Sequence, residues 1–218
     1  MLNHALQTYL IKPFKAFFMR LNAAPFEGVD ELEEFCRTRA SFVAQTTLFG
    51  YLKTRMGTKF RVLFEDEVFG ATIQDAAARL FSTCLADISL YTIARIVRDG
   101  KLDPKTAKKF VVKMYEKSLR EGLNDYPRPE IAESVIKDGD SRIKGRAKIV
   151  NWDEALDIYK TFRPSEVDIV RFAPVSEEFK ELDKIIVGNS VRLKWNDIRA
   201  QLVKRLNAER MATEIEKL

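Results

Sequence analysis

From Ile73 to Tyr91, apolar side chains recur three or four residues apart: Ile73, Ala77, Leu80, Phe81, Cys84, Ile88 and Tyr91. That spacing lines one face of an α-helix. The same period returns in Leu32, Phe35, Phe42, Val43, Phe49 and Leu52, and again in Leu6, Leu10, Phe14, Phe17, Phe18 and Leu21. A chain patterned this way buries its apolar stripes by packing helix on helix. Nine Gly and seven Pro in 218 residues are too few for a turn-dense β fold or a disordered chain. The expected fold is therefore all-α, an irregular bundle of seven or eight helices.

Local signals set the expected boundaries. Asp30 with Glu33 makes a capping-box pattern, opening a helix that ends near Met56 and Gly57. Residues 58–71 read as a connector with part-helical character. Thr72 with Asp75 opens the next helix, which Gly100 closes. Asp103 caps a further helix, Pro104 takes its first position, and Gly122 stops it. "LNDYPRPE" (123–130) reads as a linker, residues 129–137 as a short helix, and Asp138–Gly139–Asp140 as a turn. Asn151 with Glu154, and Ser165 with Asp168, cap two short helices. Ser176 opens a last long helix reaching Met211, with Phe179, Leu182, Ile186, Leu193, Ile198, Leu202 and Leu206 on its buried side. "SRIKGRAKIV" (141–150) breaks the pattern. Its cations alternate with apolar and small residues at a period of two, which predicts a short extended segment with one basic face. Three stretches follow: an amphipathic N-terminal segment (1–26), a helical core of three long helices (27–122), and a C-terminal helical part (123–218) packed on it as one domain.

The residue inventory narrows the chemistry. His4 is the single histidine, so Ser-His-Asp and Cys-His triads lack a base inside the helices. The sequence contains no G-x-S-x-G, no G-x-x-x-x-G-K-[ST] and no G-x-G-x-x-G. Cys36 and Cys84 lie in separate apolar stripes and read as small buried residues. Glu65, Asp66 and Glu67 stand together, but two or three adjacent carboxylates need a converging partner to hold a cation. Neither catalytic residues, nor a metal site, nor a cofactor is predicted.

The cations are the stronger lead. Lys101, Lys105, Lys109, Lys113 and Lys117 fall four apart, and Lys108 and Arg120 thicken the row. Each step of four advances 400°, so the row drifts by about 40° per step around its helix. Like charges at this spacing repel, and an ordinary exposed helix alternates signs. Arg142, Lys144, Arg146 and Lys148 add a second cationic edge. With a net charge of +5 spread along the chain, local patches matter more than the total. A third lead is the N-terminal stripe, where Phe14, Phe17 and Phe18 with Lys12 and Lys15 make a candidate membrane contact. No secretory h-region and no run of about 18 apolar residues is evident, so a cytoplasmic location is expected, with a membrane-peripheral one as the alternative.

Two segments, "FGYLKTRMGTKFRVLFEDEVF" (49–69) and "RPSEVDIVRFAPVSEEFKELD" (163–183), resemble a conserved alphaproteobacterial protein family of unassigned role. The resemblance covers most of the chain. An esterase label sometimes attached to that family is what the resemblance implies for activity, and it brings no catalytic residues with it. The residues themselves favour a non-enzymatic helical adaptor or regulatory protein presenting its basic face to an acidic protein partner. Nucleic acid and an anionic membrane surface are the other anionic candidates, and the C-terminal helix is a candidate for self-association. The alternatives are a peripheral membrane protein docked through residues 5–21 and a hydrolase built on carboxylates such as Glu65, Asp66 and Glu67.

Overall fold

The computed structural model describes residues 24–218, and among these it is helical throughout, without a strand. Helix α1 runs Val29–Met56. A 3-10 turn, Gly57–Lys59, leads into α2, Phe60–Glu65. Then come α3 (Glu67–Gly100), α4 (Pro104–Leu123) and α5 (Pro129–Ile149). A 3-10 turn at Glu154–Leu156 precedes α6 (Ile158–Thr161), α7 (Arg163–Phe172), α8 (Glu177–Arg205) and α9 (Ala208–Ile215). Seven of these helices have eight residues or more. The all-α expectation holds.

Helix α3 is the axle. It packs against α1, α4, α5, α7 and α9. Its apolar residues surround it on every side, from Ile73 through Ile96. One 18-residue stretch, with mean hydropathy 1.4, is apolar enough to cross a bilayer, yet 89% of it is buried by the other helices. Such a helix is the centre of a packed core. Its start differs from expectation: Asp66, not Thr72, is the cap, its Oδ1 accepting from Phe69 N at 2.8 Å. The connector is thus almost wholly helical.

The largest correction falls on residues 129–150. No turn divides them at Asp138–Gly139–Asp140, and no extended segment follows. They form one helix, α5, of 21 residues. Gly139 is there for space. A Cβ at this position would sit 2.5 Å from Tyr115 Oη, 2.7 Å from Leu119 Cδ2 and 2.9 Å from Ser82 Oγ. Glycine lets α5 lie close against α4 and α3 at the point where Tyr115 and Ser82 share a hydrogen bond of 2.8 Å. Burial pushes the Tyr115 phenol up to about 12, so it stays a neutral donor there.

The last helix also divides. α8 ends at Arg205, and Asn207 caps α9 by accepting from Arg210 N at 3.0 Å. α9 folds back on α3, where Gly100 admits the backbone of Ala208. The chain entering α1 is pinned at the same end: Phe26 N donates to Arg205 O at 3.0 Å, and Arg205 Nε donates to Ala24 O at 3.0 Å. The Arg205 guanidinium lies over the Phe26 ring, 4.1 Å from its centroid.

Two glycines on α5 give contrasting expectations. Gly139→Ala should destabilise by about 1–3 kcal/mol through overpacking. Gly145→Ala meets nothing within 4 Å and should be neutral or stabilising by up to ~1 kcal/mol. Urea unfolding of both variants checks this; equal midpoints would show that α5 does not approach α4 as described.

Candidate functional site: the cationic helices and the solvent face of α8

Helices α4 and α5 lie side by side, so the two predicted basic segments are neighbours. Lys108 Nζ, on α4, donates to the carbonyl of Lys148 near the C-terminus of α5 at 3.1 Å. The site is nevertheless much less cationic than its sequence. The four cations of 142–148 divide by helical geometry, since residues two apart point about 200° apart while residues four apart share a side. Arg142 and Arg146 turn inward; Lys144 and Lys148 turn outward.

The inward pair meets buried acids. Arg146 Nη1 lies 2.5 Å from Oδ1 of Asp87, which is wholly buried on α3, and its Nη2 donates to Thr161 O at 3.1 Å. The other Asp87 oxygen accepts Ser165 N, in the first turn of α7, at 3.0 Å. Ser165 Oγ in turn accepts from Trp195 Nε1 of α8 at 3.0 Å. One turn away on α3, Thr83 Oγ1 donates to Asp168 Oδ2 at 2.7 Å, and Arg142 binds the same two groups, with its Nη1 3.2 Å from Asp168 Oδ2. Desolvation raises the Asp87 pKa against the lowering pull of Arg146. These two arginines are structural.

Other members of the row are also neutralised. The drift of the lysine row carries Lys117 round to α1, where its Nζ lies 2.6 Å from Glu33 Oε2 and 3.0 Å from Asp30 Oδ1. Those carboxylates, Glu33 foremost, raise the Lys117 pKa. Arg120 pairs with Asp140 at 2.6 Å, and Lys144 with Glu116 at 2.8 Å. Lys105, Lys109, Lys113 and Lys148 remain exposed, and none makes an ion pair among the described residues. The candidate basic face is thus a narrow edge of α4 beside the end of α5. It is held in place by Asp103, whose carboxylate caps α4 by accepting from Thr106 N at 2.8 Å.

Helix α8 contradicts its expected orientation. Its buried side is Asp183, Val187, Gly188, Val191, Trp195, Ile198 and Leu202. Four residues expected inside lie outside: Phe179 is 40% exposed, Leu182 66%, Ile186 72% and Leu193 69%, with Ile185 beside them at 77%. Leu206 is half-buried. The helix is apolar on both faces, and the inward face is the one that carries Asp183 to Arg55 and Trp195 to Ser165. Trp195, on the helix proposed from sequence for self-association, lies in the core, its ring 4.7 Å from that of Phe162.

The acidic trio does not converge. Asp66 is committed to capping α3, and Glu65 and Glu67 are exposed beside it. No group of three or more His, Cys, Asp or Glu placed to hold a metal occurs among the described residues. Cys36 and Cys84 are buried and free, and burial pushes the Cys36 thiol up to about 12. Lys12, Phe14, Lys15, Phe17 and Phe18 lie outside the described residues. Sequence reasoning missed the buried acids Asp87, Glu166 and Asp183, and read Asp168 only as a capping partner of Ser165, which instead lies inside α7 behind its Phe162 cap. Asp87 was legible: it interrupts an otherwise apolar run, "CLADISLY", where a charge must find a partner.

Compared with known proteins, the chain matches no protein-family model, no curated protein and no solved structure. The class defined by fold and surface is an all-α bundle around a buried central helix, with one apolar ridge and one cationic edge facing solvent.

The two kinds of cation on α5 respond differently to truncation. Arg146→Ala strands the Asp87 carboxylate and should cost roughly 3–5 kcal/mol. Lys144→Ala breaks an exposed pair and should cost less than about 1 kcal/mol. Chemical denaturation of the two variants at neutral pH measures both; similar losses would contradict the inward placement of Arg146.

Proposed function

We propose that this chain is a helical adaptor that pairs with a second copy of itself through the solvent face of α8 and presents the edge of Lys105, Lys109 and Lys113 to an acidic protein. One observation carries the reading. Five large apolar side chains, Phe179, Leu182, Ile185, Ile186 and Leu193, are each at least 40% exposed along four turns of one helix. Contiguous apolar ridges of this kind mark contact surfaces.

Charge supports a second copy as the occupant. Glu178 and Glu181 lie on one flank of the ridge near its start, and Arg199 lies on the same flank beyond its end. An antiparallel two-fold centred between Ile186 and Asn189 sets Leu182 of one copy against Leu193 of the other, and brings Glu178 within about half a turn of Arg199 on the same flank. A two-fold keeps flanks together, so acid meets base twice. The α4 edge supports the second half of the reading. Its lysines keep like charges one turn apart without an internal acid to relieve them, which an acidic partner would supply.

Sedimentation velocity tests the pairing. The full chain should sediment as a dimer at micromolar concentration, and Leu182→Glu with Leu193→Glu should give a monomer with an unchanged far-UV spectrum. A chain that stays monomeric at 100-fold higher concentration sinks this reading, as does a dimer indifferent to both changes. Deletion of residues 1–23 tests whether that segment covers the ridge instead; a dimer formed only after deletion would assign the ridge to it. For the cationic edge, binding to poly-L-glutamate should weaken with salt and disappear in the Lys105→Glu/Lys109→Glu/Lys113→Glu variant. Binding to duplex DNA or to phosphatidylserine vesicles but not to poly-L-glutamate would replace the protein partner with one of those surfaces.

A further inference from the structure

Between α1 and α8 lies a cleft of about 370 Å³, lined by Thr47, Gly50, Tyr51, Arg55, Val187 and Lys194 among others. Three features set it apart from a packing defect. Thr47 is 3% exposed and its hydroxyl has no hydrogen-bond partner. Tyr51, one turn on and 7% exposed, likewise has no partner of good geometry for its hydroxyl; burial and the neighbouring Asp183 carboxylate hold it protonated, with a pKa of about 12. Buried donors left open in this way are rare and costly. Across the cleft, Lys194 is half-buried and makes no ion pair among the described residues; desolvation lowers its pKa, only partly offset by Asp197.

The other polar groups, apart from the exposed hydroxyl of Ser190, are already occupied. Arg55 forms a two-pronged pair with Asp183 at one end of the cleft. Thr46 and Thr54 donate to the carbonyls of Phe42 and Gly50 at 2.7 and 2.9 Å. What remains open, besides exposed Ser190, is two buried hydroxyl donors side by side and one ammonium opposite. The walls beyond them are mainly apolar, from Val187, Ile186 and the stem of Lys194. Gly50 leaves the floor clear, since a Cβ there would meet nothing within 4 Å.

We propose that this cleft binds a small organic monocarboxylate, its carboxylate received by Thr47, Tyr51 and Lys194 and a short hydrocarbon tail lying over Gly50 against Val187. A carboxylate accepts at both oxygens, so it satisfies both orphan hydroxyls and the unpaired ammonium together. The tail replaces water along the apolar wall. Leu182 and Leu193, on which the test of self-association rests, do not line the cleft, so the two ideas fail separately.

The probe is octanoate, followed by ligand-observed NMR and isothermal titration on the full chain at neutral pH, with 1-octanol and octylamine as controls. Octanoate should bind saturably, and octanol and octylamine roughly tenfold or more weakly, as expected for loss of one charge-assisted contact. Lys194→Met keeps the stem and should weaken octanoate by about tenfold while leaving octanol unchanged. Thr47→Val should weaken it severalfold without loss of thermal stability, because the hydroxyl is unpaired in the fold. Gly50→Leu fills open space on a helix and should abolish binding while the protein stays folded. The proposal is overturned by absence of saturable octanoate binding, by equal affinity for octylamine, or by unchanged affinity in Lys194→Met and Gly50→Leu.

Discussion

A single buried carboxylate, Asp87, fixes how four helices meet. It sits at the middle of α3, wholly shielded from water, where an unpaired charge is untenable. Its two oxygens dictate what comes near: Arg146 from α5 on one side, the backbone of Ser165 from α7 on the other. Ser165 then seats Trp195 of α8, and Trp195 packs on Phe162. Hydrophobic burial supplies the driving force for the bundle, but it is non-directional and would tolerate α5 or α7 slipped by a turn. The Asp87 network does not. Thr83, Asp168 and Arg142 repeat the arrangement one turn earlier, so the register is set at two points along α3.

The same logic recurs at the margins. Arg55 with Asp183 joins α1 to α8, Arg192 with Glu166 joins α8 to α7 at 2.7 Å, and Lys117 with Glu33 joins α4 to α1. In each, the acid is nearly buried and the base reaches it from a more exposed stem. Long basic side chains suit this, since their methylene stems cover apolar surface while the charged end enters the joint. Much of the positive charge counted in the sequence is thereby consumed in assembling the fold. Among the described residues, Lys105, Lys109, Lys113 and Lys148 reach solvent without an ion pair along one edge of α4 and the end of α5, opposite in character to the apolar ridge of α8.

The helical period, the apolar content and the caps made the fold class legible. Asp103, Pro104 and the lysine row placed α4 to within a residue or two of its observed span, because capping and proline geometry act locally. The failures have a common origin. Asp138–Gly139–Asp140 carries turn chemistry, and only the nearness of Tyr115, Leu119 and Ser82 reveals why a glycine stands mid-helix. The alternation of Arg142, Lys144, Arg146 and Lys148 is equally a strand face or two sides of a helix. Local preference is weak enough that tertiary contacts decide between them.

By itself, the amino-acid order determined that this chain is helical and where several of its helices begin. Helix α8 shows what it left open. Two apolar faces run along that helix, and both satisfy a period of 3.6. The bundle took the face bearing Asp183 and Trp195, because that face completes the pair with Arg55 and reaches Ser165. Leu182, Ile186 and Leu193 were left in water as a result. Which of two equivalent stripes turns inward depends on partners distant in the chain, and only their packing in space decides it.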